Sequence, residues 1–379
     1  MLVRLSVGEA DLNARYRERR RRRRRQIRIR RAVALGVLLA LGAGIALGAR
    51  AVGGGNNKTE PSARHTPRAA AHEPAARVVP DEIRGVHVTV ALASLPGRLQ
   101  QYLAIPGLNA IELDVKDENG HVGPGTYYKS SRVARVVHAH GIYLIGRVVT
   151  FEDPVLSEKR PALAIRNSDG TLWHNNAGLG WTNPYDRRVW AYNVNVAVAA
   201  AKAGFDEIQF DYVRFPSDGD LTQIRYPGPH PQAMRWTIPA FVQYAAQRLH
   251  PLGVRVSVDV FGLSATRDLG IGQLPRRVST YADAVYPMVY PSHYNSGEYG
   301  IDEPDDRPGL VVSRSLADFR RALEGRKTRL TPWLQDFSLG RPYTLEDLQL
   351  QIAAAKAHQA NGFLLWNPEG VYTTAALAH

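Results

Sequence analysis

The residues most suited to chemistry lie in the segment 205–216, FDEIQFDYVRFP, where an apolar, β-prone run carries Asp211 at the point where a buried strand should emerge. An ionised carboxylate in such a run is costly unless it is paired or used. Pro216 cannot donate to a sheet ladder and so ends the strand. Asp211 therefore reads as a functional acid at a strand tip, or as a structural one paired with Arg214 or Arg147. Similar groups recur at regular intervals. Asp114 with Glu112, Lys116 and Asp117, then Arg147, then Gln209 with Asp211, then Ser257 with Asp259 each close a β-like run. Tyr290 and His293, Trp333 with Asp336, and Trp366 close three more. Side chains in a strand alternate with period two, so Gln209 and Asp211 share a face, as do Ser257 and Asp259.

Paired carboxyls among aromatic rings suit glycoside hydrolysis, in which one carboxyl donates a proton and the other is ionised. Asp211 and Asp259 form the expected catalytic pair, at ~5–9 Å if their strands are neighbours. Two acids that close separate their pKa values into one acid and one base. Substrate contacts are expected from Asp114, Arg147, Gln209, Arg214, Tyr290, His293, Trp333, Asp336 and Trp366. Asp114 and Asp336 are alternative partners for Asp211. Arg147 and Arg214 read first as partners of the carboxylates, and otherwise as ligands of an acidic sugar. Trp173, His174 and Trp181 fall in a long stretch, 152–185, that reads as a substrate lid.

Other chemistries are less well served. Asp114, Asp117, Asp211 and Asp259 could hold Mg²⁺ or Ca²⁺, but the pair chemistry calls for no metal and no cofactor. With no cysteine, thiol catalysis and disulfides are excluded. No Gly-x-Ser-x-Gly elbow is present.

These tips must be positioned by elements, and the chain supplies them in strict alternation. Strands are predicted at 83–90, 110–117, 142–151, 207–216, 255–262, 284–291, 329–337 and 362–367. Helices fall near 94–104, 130–140, 186–203, 232–250, 273–281, 313–325 and 344–360. Gly141, Gly204, Gly253 and Gly362 mark the stops between them. Eight β/α units over about 300 residues imply an α/β fold, a (β/α)8 TIM barrel at 83–379. An open doubly wound sheet lacks support, because no glycine-rich phosphate loop follows the first strand.

Seven ordered blocks carry a family resemblance: LDVKD at 113–117, GIYLIGR at 141–147, GFDEIQFDYVRFP at 204–216, SVDVFG at 257–262, PMVYPSHY at 287–294, PWLQDF at 332–337 and LWN at 365–367. Over residues 84–372 the chain closely resembles a bacterial glycoside-hydrolase-like family formerly classed as a domain of unknown function. The resemblance implies a TIM barrel related to the α-amylase-like glycosidases, whose nucleophile is an aspartate at the end of the fourth strand. Asp211 occupies that position here. Such enzymes place a general acid, usually Glu, after the fifth strand, where this chain has Asp259. A catalytically idle glycan-binding barrel is the rival from another class.

The rest of the chain is organised by charge. Of the formal net charge of +13, residues 1–50 carry +11 and residues 51–80 carry +2, so the remainder is neutral. The high pI thus belongs to the N-terminal tail, and no nucleic-acid partner is expected of the barrel. Residues 1–31 read as an Arg-rich cytoplasmic tail. Residues 32–49 are an uncharged run long enough to span a bilayer, or the core of a cleaved signal peptide. The positive-inside rule places everything after residue 50 outside the cytoplasm. Residues 50–82, rich in Gly, Ala and Pro, read as a flexible linker. The expected partners are a polysaccharide substrate and, through the N-terminal segment, a membrane.

Overall fold

A computed structural model of the chain describes residues 78–378. The tail, the 32–49 apolar segment and nearly all of the linker lie outside the described residues. Among the described residues no helix is long and apolar enough to cross a membrane.

Nine parallel strands close on themselves: β1 (Ile83–Val88), β2 (Ala110–Lys116), β3 (Tyr143–Val149), β4 (Glu207–Asp211), β5 (Arg255–Phe261), β6 (Ala284–Met288), β7 (Arg329–Leu330), β8 (Trp333–Gln335) and β9 (Gly362–Trp366). Strands β1 to β6 pair in sequence order. β6 then pairs with β7 and β8, and β8 with β9, which returns to β1. This is the expected eight-stranded barrel with one correction. The seventh strand is split into β7 and β8 around Thr331 and Pro332, because proline offers no N–H to the ladder.

The connecting helices include α1 (Arg98–Leu103), α2 (Ser130–Ala139), α3 (Arg187–Lys202), α4 (Met234–Leu249), α5 (Pro275–Val278), α6 (Pro308–Ala322) and α7 (Leu345–Ala357). Several limits shift from expectation: α1 starts at Arg98 rather than 94, and β4 ends at Asp211, five residues short of the expected stop at Pro216. The 273–281 helix shrinks to the single turn α5, and α6 starts five residues early. Pro308 occupies its first turn, where the missing N–H costs nothing.

Period two sorts the strand residues into two cores. Ile111, Leu113, Leu144, Val148, Ile208, Phe210, Val256, Val258 and Leu365 face outward against the helices. The helices answer with stripes such as Val133, Ala134 and Val137 of α2 and Val194, Ala197 and Ala201 of α3. Each such aliphatic side chain, fully buried, contributes about 1.5–3 kcal/mol. The inner cluster is smaller and aromatic: Ile83, Ala110, Tyr143, Ile145, Tyr286, Tyr290, Trp333 and Leu364. Gly146 admits the Phe205 ring into the outer cluster, where a Cβ would lie 2.7 Å from Phe205 Cδ1. The barrel interior left over by apolar side chains is where the polar groups gather.

Candidate functional site

Parallel register brings the strand tips to one rim. Asp114 lies opposite Arg147, Arg147 opposite Gln209, and Val149 opposite Asp211. Asp259 of β5 pairs with Tyr286 of β6, and Met288 with Trp333 of β8. Inward side chains two residues apart stack in depth, so Gln209 lies beneath Asp211 and Glu112 beneath Asp114.

Arg147 is the hub. Its Nε and Nη2 donate to Asp211 Oδ2 at 3.0 and 2.8 Å, and its Nη1 donates to Asp114 Oδ1 at 2.7 Å. Glu118 lies 3.5 Å from the same Nη1. Burial opposes the guanidinium charge, but these carboxylates outweigh it and push its pKa well above the usual value. The other oxygen of Asp211 accepts the Tyr212 N–H at 2.6 Å. Tyr212 itself is held at φ +47°, a left-handed conformation that costs a non-glycine residue stability and is found where geometry matters more.

Asp259 has a different environment. Its Oδ1 accepts hydrogen bonds from Gln209 Nε2 and, at 2.7 Å, from Trp333 Nε1. Burial, reinforced by the Asp211 charge, overrides both donors and drives its pKa well above the carboxylate range. Burial thus favours the protonated form of Asp259, beside the Asp211 carboxyl that Arg147 grips.

Behind this pair, His87 Nδ1 hydrogen-bonds Glu112 Oε2, and its ring lies 4.5 Å from that of Trp366. Burial lowers the His87 pKa to about 4 and raises that of Glu112 to about 8. At neutral pH the contact is thus a neutral carboxyl donating to a neutral imidazole, not an ion pair. Burial likewise raises Asp114 to about 6.

These groups open on a cavity of about 590 Å³, whose walls include Arg147, Asp211, Asp259, Tyr290, His293, Trp333 and Trp366. Trp333 and Trp366 meet edge to face at 5.8 Å and 89°. A larger hollow of about 770 Å³ lies on the flank between Trp236 and Arg277. None of the strand-tip acids lines it, so the smaller cavity is the candidate site. Its polar floor and aromatic sides fit a sugar ring better than an apolar ligand. Among the described residues no cluster of three or more His, Asp or Glu could hold a metal ion.

Of the expected residues, Asp211, Asp259, Arg147, Arg214, Tyr290, His293, Trp333 and Trp366 line the cavity. Asp114 and Gln209 support it from below. Asp336 does not join them. Its two oxygens accept Thr373 N–H and Oγ1–H, both at 2.7 Å, and tie down the C-terminal segment. Among the described residues Arg214 makes no ion pair within 4 Å, so its expected partnership with the carboxylates is limited to the longer-range effect of Glu152, Asp211 and Asp218 on its charge. Nor is 152–185 an open lid. Trp173 and Trp181 are 1% and 0% exposed, and the segment folds back on itself through the Glu152–Trp181 and Ala164–Thr182 bridges. Trp181 packs edge-on against Tyr212 at 6.1 Å.

Sequence reasoning missed His87 and Glu152. His87 had a signal, being the one ionisable side chain on the inward alternation of β1. Glu152 had none, because only the fold brings it near Arg214 and Asp211. Burial raises its pKa to about 7, and Asn175 Nδ2 donates to it at 2.7 Å.

Residues 85–372 match the family model described as "Putative glycosyl hydrolase domain". No curated protein matches the chain. Among solved structures, a hypothetical protein from Ruminiclostridium thermocellum ATCC 27405 is 34% identical, covering 46% of this chain and 97% of its own, with a TM-score of 0.43. The PgaB (BpsB) glycoside hydrolase domain from Bordetella bronchiseptica is 14% identical, covering 76% and 95%, with a TM-score of 0.57. The catalytic domain of β-amylase from Paenibacillus polymyxa is 13% identical, covering 79% and 95%, with a TM-score of 0.50. At such identities the last two share the fold.

Proposed function

We propose that this chain, which belongs to the family described as "Putative glycosyl hydrolase domain" through its residues 85–372, is a glycoside hydrolase with Asp211 and Asp259 as its catalytic carboxyls. Asp259 donates its proton to the glycosidic oxygen as the C–O bond breaks. Asp211 places negative charge against the oxocarbenium-like centre that forms. Arg147 and the Tyr212 N–H fix the Asp211 oxygens, while Trp333 and Gln209 fix Asp259. Trp366, Tyr290 and Trp333 offer the flat apolar faces on which sugar rings stack. The substrate class is a cell-envelope or extracellular polysaccharide, a reading supported by the apolar 32–49 segment and the export it implies.

The observation that carries the proposal is the asymmetry of the two acids. Burial favours the protonated form of one carboxyl, and the other accepts two N–H groups of one guanidinium, inside one cavity. Incubation with a polysaccharide panel should release reducing ends, and Asp211→Asn should abolish the release. Binding without turnover that survives in this variant would favour a glycan-binding barrel instead.

A further inference from the structure

Three arginines line the cavity, and two are spent. Arg147 serves Asp211 and Asp114, and Arg267 pairs with Glu298 at 2.7 Å. Arg214 differs from both. It is 6% exposed, and among the described residues its one hydrogen bond runs from Nη1 to Phe215 O at 3.2 Å. Three rings hold its guanidinium, those of Phe261, Trp181 and Tyr212, at 4.7, 4.9 and 5.0 Å. Ring faces satisfy the plane of a guanidinium but leave its N–H edge, with five donors, largely unspent.

A purely structural cation buried this deeply would be expected to own a counter-ion. Glu152, Asp211 and Asp218 bear on its charge, but among the described residues none pairs with it within 4 Å; Asp211 is held by Arg147, and Glu152 is engaged by Asn175. A guanidinium fork held among rings at the lining of the cavity matches a carboxylate or phosphate, which accept in two-pronged geometry.

We propose that Arg214 anchors an anionic substituent, a carboxylate or a phosphate, on the sugar bound in the cavity, so that the substrate of this barrel is an acidic polysaccharide. The inference rests on the glycosidase reading and sharpens it. Arg214 would select substrate, while the Asp211 and Asp259 pair acts on the bond.

The test is calorimetric titration of Asp211→Asn, which blocks turnover, with matched oligosaccharides in uronic-acid, 6-phosphate and neutral forms. An acidic form should bind roughly tenfold or more tightly than its neutral counterpart. Adding Arg214→Gln should erase the difference, and Arg214→Lys should restore part of it; thermal melting checks that each variant folds. Whichever acidic form binds better identifies the substituent. Equal binding of acidic and neutral forms, or discrimination that persists in Arg214→Gln, overturns this inference and leaves the glycosidase reading standing. Binding of no member, charged or neutral, overturns both.

Discussion

Asp211 and Asp259 sit on adjacent strands but answer to different neighbours, and that difference is what acid–base chemistry needs. The contrast extends to the layer beneath. Glu112 is held neutral in the fold, with its pKa moved from 4.5 to about 8. Folding therefore takes up a proton over that window, and stability should fall as pH rises through it. His87 acts oppositely, because its pKa drops from 6.5 to about 4 and stability gains as pH rises between those values. Between pH 6.5 and 8 only the Glu112 contribution remains of the two. Urea unfolding of Glu112→Gln across that range should show a shallower decline than the wild type; parallel declines would contradict the assignment. The sequence exposed Glu112 as a strand-end acid but not its protonation, which depends on burial in the closed barrel.

At the scale of elements, strand order and the rim position of the acids were legible, because period-two alternation and glycine stops are local signals. Departures came where a register or a distant partner decided. Lys116 follows Asp114 by two residues and by strict alternation should share its inward face. A register shift between them instead sets Lys116 against Tyr192 of α3, 5.2 Å from its ring, and in a fully buried ion pair with Asp153 at 2.7 Å. Asp153 also caps the short helix Pro154–Lys159 by accepting the Leu156 N–H at 2.8 Å. That pair joins the barrel to the start of the 152–185 segment. Breaking it strands a buried ammonium, so Asp153→Ala should cost about 3–5 kcal/mol in denaturant unfolding. A loss below about 1 kcal/mol would show that the pair is not a structural tie. Asp336 was misplaced for the same kind of reason, since its partner Thr373 lies 37 residues on.

For the whole molecule, closure of the barrel through β9 and β1 directs every strand end to one mouth, and this makes a two-acid site possible from residues spread across the chain. The mouth needs both acids in their separate roles. Turnover of Asp259→Asn and Asp211→Asn on paired substrates therefore tests the account most directly. One substrate is a dinitrophenyl glycoside, whose leaving group needs no proton, and the other is the natural linkage of the same sugar. Asp259→Asn should keep most of its activity on the aryl glycoside and lose about 10²–10⁴-fold on the natural linkage, while Asp211→Asn fails on both. Equal losses on the two substrates in Asp259→Asn, or wild-type turnover in Asp211→Asn, would contradict it.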